Sequence, residues 1–303
     1  MNECLTTTNR NIDVVVLCGG KGTRLQAVVN DRPKPMAMFG DKPFLYLLLD
    51  YMSAQGFMRF ILCAGYKADM IESYFLPSRS QVADRRPDDS NGTGTSEFAG
   101  CNSFFVGPLL AKAGKKKRGI AHAQALQEEK QQARDYEVTV YREETLLGTA
   151  GALCLVAGSI KGDNVLVMNG DSFCAVNYEN VIQAHVSSCA DATMVVTKVE
   201  NRDDFGNVIL DKDGRITSFR EKQSNSSKGY VNAGIYLFKR SVIESLEKRT
   251  PMSLERDVFP GLINSRFFAY IAKSVLLDIG TPDRYVRAKK LLVNEMRKDI
   301  ATL

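Results

Sequence analysis

Hydrophobic positions along the chain fall into two patterns, short unbroken runs and helical spacings. Val14 to Leu17 is a mostly β-branched run, as expected of a strand covered on both faces in the middle of a parallel sheet. A helix is predicted after it: Leu45, Leu48, Leu49 and Met52 recur on one face, Asp41 can cap it, Pro43 suits its first turn and Gly56 ends it. Phe60 to Cys63 repeats the strand pattern and Lys67 to Phe75 a shorter helix. Strand, helix, strand, helix is the doubly wound order.

Residues 78–134 break this rhythm with Pro, Ser, Asn, Gly and Asp, a basic run at Lys115 to Arg118, and little apolar period before Ala121 to Arg134. They read as an insertion, expected as a surface excursion. The core resumes with a strand at Glu137 to Tyr141, a helix from the turn at Gly148 to about Ala157, and a buried strand at Asn164 to Met168. Beyond Ala192 the pattern turns to strands: Thr193 to Val199, Asn207 to Leu210, Arg215 to Phe219 and Tyr230 to Phe238, with Asp213-Gly214 as a hairpin turn. A last short strand, Leu276 to Ile279, precedes a helix starting at Pro282. The expected organisation is one domain over 1–303, with a smaller β-rich lobe over 192–281.

Length and charge narrow the chemistry. A chain of 303 residues can bury a full core, and its formal charge of +5 and pI near 8.7 suit small anionic ligands better than nucleic acid. Seven cysteines show no metal or redox spacing and read as free thiols of a reducing compartment. The first residues lack the apolar core of a signal peptide, and no run is long enough to span a membrane, so the cytoplasm is expected. His122 and His185 are the only histidines, which disfavours histidine catalysis or a His-rich metal site; each reads as a loop or surface-helix residue.

The candidate chemistry gathers after the first strand. Gly19, Gly20 and Gly22 allow a tight turn whose amides face a ligand, and Lys21, Arg24 and Lys34 stand near it, with Pro33 and Pro35 fixing the backbone around Lys34. A strand, a glycine turn and held cations point to phosphate. The Walker pattern is absent because Lys21 is followed by Gly22, and the dinucleotide fingerprint fails because Leu25 replaces its third glycine. Asp171 follows the strand at Asn164 to Met168, at the carboxyl end where open parallel sheets bind ligands.

These residues resemble the signature of the sugar-nucleotidyltransferases, Leu-x-Gly-Gly-x-Gly-Thr-Arg-Leu from Leu17 to Leu25 followed by Pro-Lys-Pro-Met from Pro33 to Met36. The likeness continues through Leu147 to Gly151, Asn169 to Asp171, Val231 to Gly234 and Asp278 to Pro282. It implies an α/β fold with a Rossmann-like mixed sheet of the GT-A type and an enzyme that joins a nucleoside triphosphate to a sugar 1-phosphate. It also implies a nucleotide site at Leu17, Gly19, Gly20, Gly22, Thr23, Arg24, Glu143, Gly148 and Thr149, and a sugar site at Asn169, Gly206, Glu221, Lys222 and Asn232. By the same likeness Arg24, Lys34 and Asp171 are catalytic, and Asp171 with Asp278 holds one Mg²⁺. Within that family the chain looks most like the heptose 1-phosphate guanylyltransferase branch, on Pro33 to Ala37, Gly40, Lys42 to Leu45 and Ser253 to Glu255, although Leu146 departs from that branch's usual Pro. This implies GTP as donor, with Glu143 reading guanine, and leaves homo-oligomerisation open. A mannose 1-phosphate enzyme and a non-catalytic nucleotide-sugar sensor are the alternatives; the four intact charged residues favour an enzyme.

Overall fold

The computed structural model describes residues 11–76, 101–106, 136–199, 206–220, 228–247 and 251–300. Its strands are β1 (Asp13–Leu17), β2 (Met38–Phe39), β3 (Lys42–Pro43), β4 (Arg59–Ala64), β5 (Cys101–Val106), β6 (Tyr136–Arg142), β7 (Asn164–Asn169), β8 (Ser172–Cys174), β9 (Ala192–Val199), β10 (Asn207–Leu210), β11 (Ile216–Arg220), β12 (Gly229–Lys239), β13 (Phe267–Ala272) and β14 (Leu276–Asp278). The helices are α1 (Phe44–Ala54), α2 (Ala68–Phe75), α3 (Gly148–Val156), α4 (Tyr178–Ser187), α5 (Arg240–Glu244), α6 (Phe259–Leu262) and α7 (Pro282–Ile300).

The mixed α/β architecture expected from the pattern is present. Four parallel strands, in the order β7-β1-β4-β6, form the middle of a ten-stranded sheet. β1 explains why: Val14 and Val16 enter the hydrophobic core on one face while Val15 enters the core on the other, so none of the three valines faces water. Leu45, Leu48, Leu49 and Met52 of α1 are fully buried, each contributing about 1.5–3 kcal/mol by leaving water. Leu17 pairs with Asn169 and Cys63, which brings the loops after β1 and β7 to the same sheet edge.

Beyond β7 the sheet becomes antiparallel. The C-terminal half of β12 pairs with β7, its first residues pair with β10, and β9 runs along both parts. The strand changes partner at an irregularity between Asn232 and Tyr236, where Gly234 takes φ +74. β13 adds to β9 in parallel. A separate antiparallel pair, β8 with β14, sets Asp278 opposite Ser172.

Three local expectations need correction. Asp41 does not cap α1: Gly40 at φ +67 turns β2 back onto β3, and Pro43 itself occupies the cap position without a side-chain hydrogen bond. His185 is on a helix but is 1% exposed, bonded through its ring nitrogens to Thr193 Oγ1 at 2.8 Å and Asn164 Oδ1 at 3.2 Å. Within 78–134, residues 101–106 form a strand antiparallel to β6; His122, Ala121 to Arg134 and the basic run lie outside the described residues.

Candidate active site

The sheet edge carries a cleft with two halves. The first, of about 260 Å³, is lined by Leu17, Cys18, Gly20, Gly22, Thr23, Arg24, Lys34, Pro35, Asp171 and Gly280. Its glycines act for different reasons. Gly22 lies at φ +59, and a Cβ there would meet Lys34 Cβ at 3.0 Å, so the glycine both permits the turn and seats the lysine stem. Gly19 has ordinary backbone angles but no room, because a Cβ would lie 2.4 Å from Glu143 Oε1. Gly20 faces open space, which suits the close approach of a ligand.

The second half, of about 220 Å³, shares Arg24, Lys34 and Asp171 with the first and adds Asn169, Ser172, Gly206, Asn232, Glu255, Asp278 and Arg284, among others. Lys34 and Asp171 stand where the halves meet, with Lys34 Nζ donating to Asp171 Oδ2 at 2.6 Å. Asp278 reaches the same place through its backbone: Ile279 N–H donates to the Asp171 carbonyl at 3.1 Å, extending the β8–β14 pairing. A Cβ on Gly280 would lie 2.6 Å from Asp278 Oδ1 and 3.2 Å from Lys34 Nζ, so glycine keeps acid and ammonium close. Arg24 is exposed and has no carboxylate partner among the described residues. Two carboxylates, one in the turn before β8 and one at the end of β14, are hard oxygen donors of the kind a small divalent cation takes together with ligand phosphates. Among the described residues no larger acidic, His or Cys cluster is present, so the protein offers part of a coordination shell.

Other expected residues occupy particular places. Asn169 and Asn232 flank Gly234, where a Cβ would meet Asn169 Nδ2 at 2.6 Å. Asn232 is held at both ends, accepting from Gly234 N–H at 2.8 Å and donating to Tyr236 Oη at 2.7 Å, while its own N–H donates to the Gly206 carbonyl at 3.2 Å. Glu143 presses on Gly19 and accepts from Leu147 N–H at 3.4 Å; partial burial raises its carboxyl above the usual range. The Cys18 thiol, fully buried beside Asp171 and Glu143, is pushed up and kept protonated, which makes it no nucleophile. Glu221 and Lys222 lie outside the described residues.

Gly148 and Thr149 line neither half. Gly148, at φ +77, passes against the Met252 carbonyl, which accepts from Ala150 N–H at 2.9 Å and Gly151 N–H at 3.2 Å. The start of α3 is therefore covered by the chain itself. Thr149 Oγ1 donates to Glu255 Oε2 at 3.1 Å and accepts from Leu254 N–H at 2.7 Å, and Ser253 Oγ donates to the same carboxylate oxygen at 2.8 Å. Glu255 and Arg284 are cleft residues that sequence reasoning did not assign. The Ser253 to Glu255 motif was a signal for the first; Arg284 gave none.

A family model described as nucleotidyl transferase matches residues 13–95 and 110–295. The chain belongs to the nucleotidyl transferase family. The enzyme reading of its two loop motifs is thereby borne out. Among curated members it is 30% identical over 285 residues to a mannose-1-phosphate guanylyltransferase of Mycobacterium tuberculosis, covering 93% of this chain and 65% of that one. It is 28% identical over 282 residues to the D-glycero-alpha-D-manno-heptose 1-phosphate guanylyltransferase of Aneurinibacillus thermoaerophilus, covering 93% and 98%. The chain thus spans about two thirds of the first relative and nearly all of the second. The crystal structure of HddC from Yersinia pseudotuberculosis superposes with a TM-score of 0.67 at 27% identity, over 93% of this chain and 99% of that one; the same protein has been solved complexed with GMP-PN. No helix among the described residues of this nucleotidyl transferase is long and apolar enough to cross a membrane.

Proposed function

We propose that this protein is a sugar-1-phosphate guanylyltransferase acting on D-glycero-alpha-D-manno-heptose 1-phosphate, with GTP as donor and GDP-heptose and pyrophosphate as products, in the cytoplasm, for surface glycan assembly. The observation that carries the reading is the meeting of two half-clefts at Lys34 and Asp171, with Asp278 paired alongside. Support for guanine and heptose comes from the Aneurinibacillus relative, matched over nearly its whole length, and from the GMP-PN complex of a structure of the same extent. Mannose 1-phosphate is the second reading, supported by the mycobacterial relative.

In this reading the sugar-phosphate oxygen attacks the α-phosphorus, a new phosphorus–oxygen bond forms, and pyrophosphate leaves with the electron pair of the bond that breaks. No protein nucleophile is needed. The work is positioning and charge neutralisation. Two like unit charges about 4 Å apart repel by ~4 kcal/mol at an effective dielectric of 20, and each such pair must be offset. The glycine-loop amides and Thr23 hold the nucleotide, Arg24 takes the triphosphate and the leaving pyrophosphate, and Lys34 draws the sugar phosphate toward the α-phosphorus. Glu143 accepts from the guanine ring N–H and amino group, while Asn169, Gly206, Glu221, Lys222 and Asn232 hold the sugar. Mg²⁺ on Asp171 and Asp278 would neutralise phosphate oxygens when bound. Incubating the protein with each nucleoside triphosphate and a panel of sugar 1-phosphates tests the proposal. Pyrophosphate release with GTP and heptose 1-phosphate is expected, and its absence with GTP would reject the donor.

A further inference from the structure

Among the described residues, six charged side chains line the cleft: three cations, Arg24, Lys34 and Arg284, and three anions, Asp171, Glu255 and Asp278. These charges balance among the described residues. Two of the cations are also spent on the two proposed metal ligands. Lys34 Nζ holds Asp171 Oδ2 at 2.6 Å, and Arg284 Nη1 holds Asp278 Oδ1 at 3.1 Å, each pair mostly buried.

Arg284 is badly placed by local rules. It sits in the first turn of α7, where its backbone N–H lies 3.4 Å from Thr281 Oγ1, and the positive end of a helix disfavours a cation by a few tenths of a kcal/mol to about 1 kcal/mol. Asp283 beside it is the residue that position prefers. A side chain that breaks a local rule while facing a cleft is an indication of function. Its guanidinium is directed back into the sugar half, onto the one carboxylate that β14 delivers there.

We propose that Arg284 is a second sugar-phosphate-binding residue, which exchanges its Asp278 partner for the phosphate when a divalent cation occupies the two carboxylates. Lys34 is released from Asp171 in the same exchange. Of these three cations, the two paired with carboxylates thus turn to the sugar phosphate with the metal in place, while exposed Arg24 stays open to the triphosphate throughout. The inference rests on the proposed function for the identity of the phosphate, but its metal arm does not depend on turnover.

Mn²⁺ binding to the substrate-free protein, followed by electron paramagnetic resonance, is the first measurement. Removing a competing, partly buried ion-pair partner in Arg284→Gln should tighten Mn²⁺ about three- to tenfold. Unchanged or weaker Mn²⁺ binding in a variant that melts at the wild-type temperature would overturn the exchange and make Arg284 a prop for Asp278. With Mn²⁺ saturating, calorimetric binding of D-glycero-alpha-D-manno-heptose 1-phosphate should weaken about tenfold or more in Arg284→Gln, and Arg284→Lys should recover part of the loss. Equal affinity in all three proteins would overturn the phosphate role. If Arg284→Gln does not fold, Arg284→Lys carries the phosphate measurement and an intermediate Mn²⁺ affinity is expected of it; wild-type values for both would count against the proposal. Should wild-type protein turn over no substrate pair while Mn²⁺ still tightens in the variant, the proposed function fails and the carboxylate competition stands.

Discussion

The two halves of the cleft are of similar size but opposite construction. Eight of the ten residues lining the first half come from one stretch, Leu17 to Pro35, whereas those lining the second are spread from Arg24 to Arg284. The first half is a loop shaped by its own glycines. The second is an assembly that depends on strand register: a slip of β14 by one residue against β8 would turn Asp278 away from Asp171. A contiguous anion loop can thus be carried by sequence motifs alone, while the partner half exists only if the antiparallel strands close correctly.

The largest test removes the side chain that both halves share. Lys34→Ala is expected to lower turnover by about 10²–10³-fold, the loss typical of one preorganised charge-stabilising donor. The thermal midpoint should hold, because Asp171 is one-third exposed and water can take over its solvation. Steady-state pyrophosphate release beside a melting curve checks this, and a wild-type rate would remove Lys34 from the chemistry.

Next in size is the tie between the parallel block and the antiparallel strands, at the far end of β7 from the cleft. His185 on α4 ties β9, through Thr193, to the start of β7, through Asn164. Burial, and then the charge of Lys239, lower its pKa to about 4. Between that value and about 6.5 the unfolded chain binds a proton that the folded chain refuses, so stability is full above this window and falls as pH drops through it. The loss by pH 4 is of order 3 kcal/mol, from about 1.4 kcal/mol per unit. Glu143, its carboxyl raised by burial, acts with the opposite sign, so the measurement is the difference between wild type and His185→Gln in denaturant unfolding at several pH values. A difference that does not change with pH would show the tie indifferent to protonation.

A smaller effect separates the glycines of the loop. Gly22→Ala should cost about 1–2 kcal/mol of backbone strain and lower activity further, because the new methyl displaces Lys34. Gly20→Ala should leave stability within about 0.5 kcal/mol, since nothing opposes a Cβ there, while raising the KM for GTP. Equal melting temperatures for the two variants would show that the turn does not need Gly22.

How much of the site was legible follows the same division. The strands of the parallel block, the helix face at Leu45 to Met52 and the Gly-Thr-Arg and Pro-Lys-Pro motifs could be read directly, because periodicity and spacing record local geometry. Asp278 could be found on a strand end, but not its partner: β8 is three residues long and carries no period. Arg284 was invisible because an arginine at a helix start is ordinarily a solvated charge. Asp41 misled because capping is a rule about composition, while the positive φ of Gly40 spends those residues on a hairpin. His185 was read as surface because its two hydrogen-bond partners come from β7 and β9, which no local pattern links to α4.

Thr149 gives the finest separation of the halves. The Gly-Thr motif resembles a nucleotide contact, yet its hydroxyl is committed to Glu255 Oε2 and Leu254 N–H, on the side of the second half. Thr149→Val keeps the shape and removes both bonds, leaving Leu254 N–H without that acceptor, so a stability loss of about 1–2 kcal/mol is expected. Glu255 would still be held by Ser253 Oγ, and the kinetic effect should be a KM for the sugar phosphate raised a few-fold, about the size of one neutral hydrogen bond, with the KM for GTP unchanged. The opposite split, a raised KM for GTP alone, would return Thr149 to the nucleotide and mean that the start of α3 turns toward the glycine loop when GTP binds.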